Sequence, residues 1–516
     1  MTGWNQLPSP RRDECRRRLN FTLSGAGAWV PGSVWGGACH PALPGVKLPP
    51  RASAAREAQA IWEAPLEAVP VTSDCSALPG GTASGTMSLA LMTRELLSAQ
   101  DARILALESG TVRGHTCKVV VIGGERRAVE IRAHLGERLP AVPRLMQRLD
   151  PGRGPPAWDD DPSFSLERHV VDRGALDDAA LRRLVGTAMA TPLDREHPLW
   201  AMDVICPLPG GRTALVWRIH HAVADGMTAM RMARDVLLDA SAEEPPARPG
   251  PPQRPLGQEP RAVTTTLERA ARLSKTLHQE LGRRAIPSPL DRRVGPRRQV
   301  EFVDAPLEEL RRIGHAAPER ATVNDVALSA VGAGLRAWLA ELGAPATGLR
   351  VKVPVSLHRQ GEPDTANRDS FMMVDLPLEQ NDPLARLMAV ARETRECKRR
   401  HDAQTIDDFF RDLSHLSRSL ERHAQHWAMS PRVFTLNVSN VPGPRGPQLV
   451  LGAPLLELHS LAEIAHRHAL RVAIVSAAGR ISFGLCADPD AVDNLDLIAQ
   501  GIGREIEALG AAVVPS

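Results

Sequence analysis

Apolar and polar positions alternate in two styles along most of this chain, from about residue 90 to residue 510. Some stretches are short unbroken apolar runs. Lys118-Val119-Val120-Val121-Ile122 is mostly β-branched, and Thr213 to Ile219 is apolar throughout its middle, which predicts buried strands. Ala201 to Cys206, Leu349 to Val355, Ser370 to Leu376 and Phe434 to Asn440 read the same way, as does Phe164 to Val171. Other stretches place apolar residues three and four apart, the period of a helix with one buried face. Leu181, Leu184, Val185 and Met189 form such a stripe within Leu176 to Met189. Leu328, Val331, Leu335 and Leu339 form another within Val326 to Leu342, with Thr322 placed to cap its start. Helices are also expected at Leu307 to His315, Leu384 to Arg400 and Leu495 to Leu509, after Ser98, and on either side of Pro140 between Ala128 and Arg148. Leu470 to Ala477 and Arg480 to Cys486 flank Ala478-Gly479 as a hairpin. Strands interleaved with helices through two halves predict an α/β chain of two similar subdomains.

The pattern fails in two places. Residues 1–86 are rich in Pro, Gly, Ala and Arg without a period, and are read as disordered or as lying upstream of a true start at Met87. Seven prolines between Glu243 and Pro260 forbid regular structure. The expected organisation is an extension over 1–86, a first subdomain over 87–242, a Pro/Arg-rich linker over 243–300 and a second subdomain over 301–516. Within the linker, Arg283, Arg284, Arg292, Arg293, Arg297 and Arg298 read as a solvated loop, against a phosphate clamp or an anionic-lipid contact.

Composition narrows the class. With 63 basic and 60 acidic residues, the chain lacks the charge excess of a nucleic-acid binder. Its seven cysteines, Cys15, Cys39, Cys75, Cys117, Cys206, Cys397 and Cys486, are scattered and form no CxxC, which suits a reduced cytoplasmic protein. No run of 18 apolar residues predicts a membrane span.

The candidate chemistry is His220-His221-Ala222-Val223-Ala224-Asp225-Gly226, at the end of the Thr213–Ile219 run and ahead of Met227, Met230, Ala233 and Leu237 at helical spacing. Adjacent residues of a strand face opposite ways, so the two histidines cannot share one cavity. One imidazole can act as a base that takes a hydroxyl proton and returns it to a leaving group. Two core histidines beside a turn is the plain alternative. A metal site from His220 or His221 with Asp225 lacks a third ligand at a usable spacing. No serine-hydrolase elbow, Walker loop or dinucleotide glycine motif occurs. His466 and His468 lack metal-ligand company and are taken as structural or exposed.

That motif resembles the HHxxxDG signature of acyltransferases with the chloramphenicol acetyltransferase-like fold. Its flanks narrow the resemblance. Leu97-Ser98-Ala99-Gln100-Asp101, Pro198-Leu199-Trp200, Asn324-Asp325, Asn437-Val438-Ser439-Asn440-Val441-Pro442-Gly443-Pro444 and Ala478-Gly479-Arg480-Ile481-Ser482-Phe483-Gly484 look like the bacterial wax ester synthase/diacylglycerol acyltransferase family, in its order, over about residues 90–510. The resemblance implies two open-sheet subdomains with a tunnel between them. It implies transfer of a fatty acyl group from acyl-CoA, a co-substrate and not a cofactor, to diacylglycerol or a fatty alcohol, with no metal. His221 would be the general base, with no covalent acyl-enzyme, while His220, Asp225 and Gly226 shape the turn. Asn324, beside Asp325, would donate to the oxyanion or else cap a helix. Pro198, Leu199, Trp200, Asn440, Pro442 and Gly443 would line the tunnel or act structurally. The implied setting is the cytoplasm, peripheral to a membrane or lipid-inclusion surface, without nucleic acid. Asp291 stands where the family has asparagine, and Ser476-Ala477-Ala478-Gly479 lacks the family's aromatic residue. The rival readings are a condensation-like module using carrier-bound acyl groups, which predicts a neighbouring carrier domain, and a lipid-binding relative without catalysis.

Overall fold

The computed structural model describes residues 94–150, 152, 154–239, 282, 285–356, 369–400, 424 and 427–513. All of them lie in one compact unit, Ser88–Ser516. The extension over 1–86, the proline run at 243–260 and Arg283 and Arg284 lie outside the described residues.

In chain order the elements are β1 (Glu95–Leu96), α1 (Ala99–Ala106), β2 (His115–Gly123), α2 (Ala128–Arg138), β3 (Gln147–Leu149), β4 (Ala157–Asp160), α3 (Leu166–His169), β5 (Val170–Asp172), α4 (Asp178–Ala190), β6 (Trp200–Leu208), β7 (Arg212–His220) and α5 (Gly226–Leu237). The second half supplies β8 (Gln299–Pro306), α6 (Leu307–Ala316), α7 (Val323–Glu341), β9 (Leu349–Ser356), β10 (Asp369–Leu376), α8 (Pro383–Arg400), β11 (Leu436–Pro442), β12 (Leu449–Val450), β13 (Ala453–Ala462), β14 (Leu470–Ala477), β15 (Arg480–Ala487) and α9 (Leu495–Ala512).

Two six-stranded sheets dominate. The first runs β12-β13-β2-β7-β6-β5, and the second β10-β9-β11-β14-β15-β8. The apolar runs that predicted strands are the central strands: β2 and β7 are buried on both faces along nearly their whole length. One face of the first sheet packs on α2 and α5 through Ile131, Leu135, Leu215, Trp217 and Val236, and the other packs on α4 through Val119, Val185, Met189 and Val216. The second sheet turns Val351, Leu436, Val438, Val472, Ile474 and Phe483 toward α7 and α9. Alternation along the strand then puts Asn437, Ser439, Arg471, Ala473 and Cys486 on its other face.

The first sheet is not built from the first half alone. β13 pairs antiparallel with β2, so a segment more than 300 residues away in sequence completes it. A linear division at 243–300 therefore does not separate the sheets, and β8, which opens the second sheet, already begins at Gln299. β13 carries a bulge between Leu455 and Glu457 and passes so close to β15 that a side chain at Gly484 would meet the Ser460 carbonyl.

Two expected elements differ. Past Arg138 the helix gives way to short 3-10 turns, Leu139–Ala141 and Pro143–Met146, and then to β3. Pro140 and Pro143 cannot donate to a continuing helix, and each starts a tighter turn. Phe164 to Val171 is mostly a single helical turn, Leu166–His169, leading into β5. There the His169 ring stacks on Phe164 and Trp200, which consumes apolar residues that had looked like strand positions. The hairpin at Ala478-Gly479 forms as expected, with both turn residues at positive φ.

Candidate active site

β7 delivers both histidines to one end of the first sheet. Their backbones are pinned from opposite sides: the His220 N–H donates to the Leu199 carbonyl at 2.9 Å, and the His221 N–H to the Gly114 carbonyl at 2.8 Å. The chain then turns through Val223 and Ala224, whose N–H groups both donate to the His220 carbonyl. Asp225 caps α5 by accepting the Thr228 N–H at 2.6 Å, which satisfies one donor at the helix start.

The two imidazoles have opposite fates. His220 is fully buried and fully used. Its Nδ1 accepts the Ala222 N–H at 3.0 Å, so its proton sits on Nε2, which donates to Glu108 Oε1 at 2.9 Å. Arg195 Nε donates to the other Glu108 oxygen at 2.8 Å. Burial pulls the Glu108 carboxyl upward, but His220 and Arg195 outweigh it and hold it below its ordinary range. Gly114 is required beside this pair. Its φ is +68°, and a Cβ there would lie 2.6 Å from His220 Nε2.

His221 is only partly buried. Its Nδ1 is buried without a neighbour's acceptor. Burial pushes its pKa from the ordinary 6.5 down to about 4, and the positive charge of Arg471 adds to this. Its own carbonyl and Asp225 pull the other way and lose. The result is an imidazole that stays neutral near pH 7, its Nδ1 without a hydrogen-bond partner, on a backbone N–H held by Gly114.

The second half closes on this turn. A side chain at Gly226 would meet Val441 of β11 at 3.3 Å. Pro442 pairs with Ser476 and the Gly443 N–H donates to the Ser476 carbonyl at 2.8 Å, so Pro442 and Gly443 hold the end of β11. Asn440 Nδ2 donates to Asn324 Oδ1 at 3.3 Å, which joins β11 to the start of α7. Asp325, by contrast, is spent on structure. It forms a reciprocal cap with Thr322 and accepts from Thr394 Oγ1 at 2.7 Å. Pro198, Leu199 and Trp200 are buried in the core, Trp200 stacking on His169 and donating to the Leu145 carbonyl at 2.7 Å. They support the strand behind the histidines.

Among the arginines read as a solvated loop, Arg298 is buried and pairs with Glu463 at 2.8 Å. Arg292, Arg293 and Arg297 are exposed, Arg297 pairing with Asp490. Asp291 accepts the Ser288 N–H, and burial raises its carboxyl to about 6. His468 stacks on Phe434 and faces two backbone carbonyls, a structural role. Among the described residues no group of three His, Cys, Asp or Glu is arranged to hold a metal.

Glu108, Arg195, Lys118 and Arg471 were not singled out by sequence. Lys118 lies buried on β2, its Nζ donating to Ser460 Oγ of β13 at 2.6 Å, and burial lowers its pKa to about 8. A lone lysine inside an apolar run was the available signal. Glu108 gave none, since 112 residues separate it from His220.

Family models match in two parts: a wax ester synthase/diacylglycerol acyltransferase catalytic domain over residues 97–283, and the C-terminal domain of the same family over residues 365–510. A Mycobacterium tuberculosis protein named a diacylglycerol O-acyltransferase is 30% identical over 468 residues, covering 81% of this chain and 97% of the relative. The chain belongs to the wax ester synthase/diacylglycerol acyltransferase family. The O-acyltransferase WSD of Acinetobacter baylyi is 27% identical, covering 68% of this chain and 82% of that protein. The wax ester synthase/diacylglycerol acyltransferase of Marinobacter aquaeolei VT8 superposes with a TM-score of 0.62 at 23% identity, over 81% of this chain and 99% of that one. A starter condensation domain of rhizomide synthetase superposes with a TM-score of 0.53 at 15% identity, covering 83% of this chain and 97% of that domain. Both structures carry the same fold of paired sheets, so the condensation-like likeness is one of architecture. Among the described residues no helix of this family member is long and apolar enough to cross a membrane.

Proposed function

We propose that the protein is an O-acyltransferase that moves a fatty acyl group from acyl-CoA to the hydroxyl of diacylglycerol or a long-chain alcohol, with His221 as general base. The observation that carries the reading is the division of labour between adjacent histidines. His220 has both nitrogens committed, whereas His221 is neutral and its Nδ1 has no hydrogen-bond partner.

The acceptor hydroxyl donates to His221 Nε2. As its oxygen attacks the thioester carbon, the proton passes to the imidazole. The tetrahedral intermediate collapses, the C–S bond breaks, and the imidazolium returns the proton to the CoA thiolate. Asn324 supports the oxyanion. Its Oδ1 already accepts from Asn440, which orients its own Nδ2 as a donor. Glu108 and Arg195 act at one remove: they lock the tautomer of His220, and His220 and the Asp225 cap set the turn that carries His221. Contact with a membrane or lipid-inclusion surface fits two lipid-soluble substrates and needs no spanning helix.

The test is CoA release from palmitoyl-CoA by the full chain, with dioleoylglycerol, hexadecanol or no acceptor. Acceptor-dependent release that collapses in His221→Ala supports the reading. Equal release by both proteins removes His221 as the base.

A further inference from the structure

Among the described residues, the polar face of the second sheet carries a guanidinium that no carboxylate pairs with. Arg471 is the second residue of β14, in register with Asn437 of β11 and Cys486 of β15. Its Nη1 donates to the Glu463 backbone carbonyl at 3.1 Å, and its Nε is buried with no partner. The Glu463 side chain does not pair with it. One Glu463 oxygen is bound by Arg298 at 2.8 Å and the other faces no donor. Asn437 Oδ1, beside Arg471, is also buried without a partner. One carboxylate thus stands near two guanidiniums and pairs with only one of them, and His115, within reach of the Arg298 charge, stays neutral, its pKa pushed down to about 3 chiefly by burial.

The backbone places this cationic face at the catalytic turn. Arg471 holds the Glu463 carbonyl, the Glu463 N–H donates to the His115 carbonyl at 3.2 Å, and the neighbouring Gly114 carbonyl holds the His221 N–H. An unbalanced guanidinium away from water is costly, and a planar fork with an empty donor suits a carboxylate or phosphate. Diacylglycerol and simple fatty alcohols offer neither.

We propose that Arg471, with Asn437 beside it, forms a subsite for an anionic group on the acceptor, a carboxylate or phosphate ester a few bonds from the reacting hydroxyl. The proposal rests on His221 as the base of acyl transfer. The reaction stays balanced as above: the anion is bound and unchanged, the ester C–O bond forms at the neighbouring hydroxyl, and the C–S bond breaks.

The test uses matched acceptors with palmitoyl-CoA: 3-hydroxyhexadecanoate against its methyl ester, and 1-oleoylglycerol 3-phosphate against 1-oleoylglycerol. The expected result is a higher kcat/KM for the charged member of one pair, and that pair names the anion. Arg471→Gln is expected to cut that ratio by roughly 10- to 100-fold, mainly through KM, and Arg471→Lys to retain part of it. No preference for either charged acceptor overturns the proposal while leaving His221 as base. A fall in Arg471→Gln that is equal for both members also overturns it, because Arg471 would then serve the oxyanion or the fold. Calorimetric binding of 3-hydroxyhexadecanoate and its methyl ester to both proteins decides the subsite without turnover. Equal affinities for acid and ester overturn it even if no acceptor is acylated.

Discussion

The two sheets use similar strands for different ends. The first keeps its interior apolar and places its histidine pair where a strand stops: β7 runs buried to His220, and His221, the proposed base, is the first residue beyond the ladder. The second sheet places polar groups inside the ladder, Asn437 and Arg471, each the second residue of its strand and on the face its helices do not cover. At a strand end the backbone is free to turn, so a side chain can be aimed by a glycine, a cap and two carbonyls. Inside a paired ladder the direction is already set, and only the residue type remains to be chosen. Geometry for proton transfer therefore suits the first arrangement, and a fixed charge for recognition suits the second.

The largest expected effect separates the two adjacent histidines. His221→Ala should lower acceptor-dependent kcat/KM by roughly 10²- to 10⁴-fold while moving the unfolding midpoint little, because its ring has no neighbour's hydrogen bond to lose. A chemical-denaturation series beside the CoA-release assay reads both quantities. Next in size is the junction between the sheets. Gly484→Val would push a side chain into the Ser460 carbonyl where β13 crosses β15, and should destabilise the protein by about 3 kcal/mol or more. Unchanged stability would mean that β13 does not pass there. His220→Ala should behave as the reverse of His221→Ala, costing about 1–3 kcal/mol of stability because it leaves the Ala222 N–H and Glu108 short of partners. Thr322→Ala removes one half of the cap on α7 and should cost about 1 kcal/mol, read as a lowered melting temperature with acyl transfer intact.

The pH dependence sharpens the same contrast. His221 has a folded pKa of about 4, below its ordinary 6.5, so the base stays neutral and kcat/KM should be flat from pH 6 to 7.5. It should fall only as pH approaches 4 to 5. For stability the sign follows from the unfolded chain binding the extra proton. The contributions of His221 and His115 are fully present above pH 6.5 and are lost progressively as pH falls, toward 4 for His221 and toward 3 for His115. A rate profile that titrates near pH 6.5 would show an exposed, ordinary histidine instead.

Much of this was legible in the chain because it is local. The β7 run, the Asp225 and Thr322 caps, the Ala478-Gly479 hairpin and the helical stripes depend on neighbours within a few residues, and the HHxxxDG spacing follows from one turn. Opposite facing of His220 and His221 followed from strand alternation alone, although which of them stays open did not. That depended on Glu108, a residue in a polar stretch with no pattern around it, reached only through the fold. β13 was missed for the same kind of reason. Ala-Pro-Leu-Leu-Glu-Leu-His-Ser-Leu-Ala is neither a clean alternation nor an unbroken apolar run, because one part lies at a bulged edge and the rest beneath the second sheet.

What the sequence determined by itself is most of the elements, the family and the turn that carries the two histidines, since periodicity, capping and glycine chemistry act over short distances. Tertiary structure alone decided that His220 is committed to Glu108, that Asp325 both caps α7 and accepts from Thr394, and that Arg298 is buried against Glu463 while Arg471 pairs with no carboxylate among the described residues. Each of these is a competition for partners among residues far apart in the chain. Hydrogen bonds and charges are allotted only once the sheets have closed and excluded the water that would otherwise satisfy every group equally.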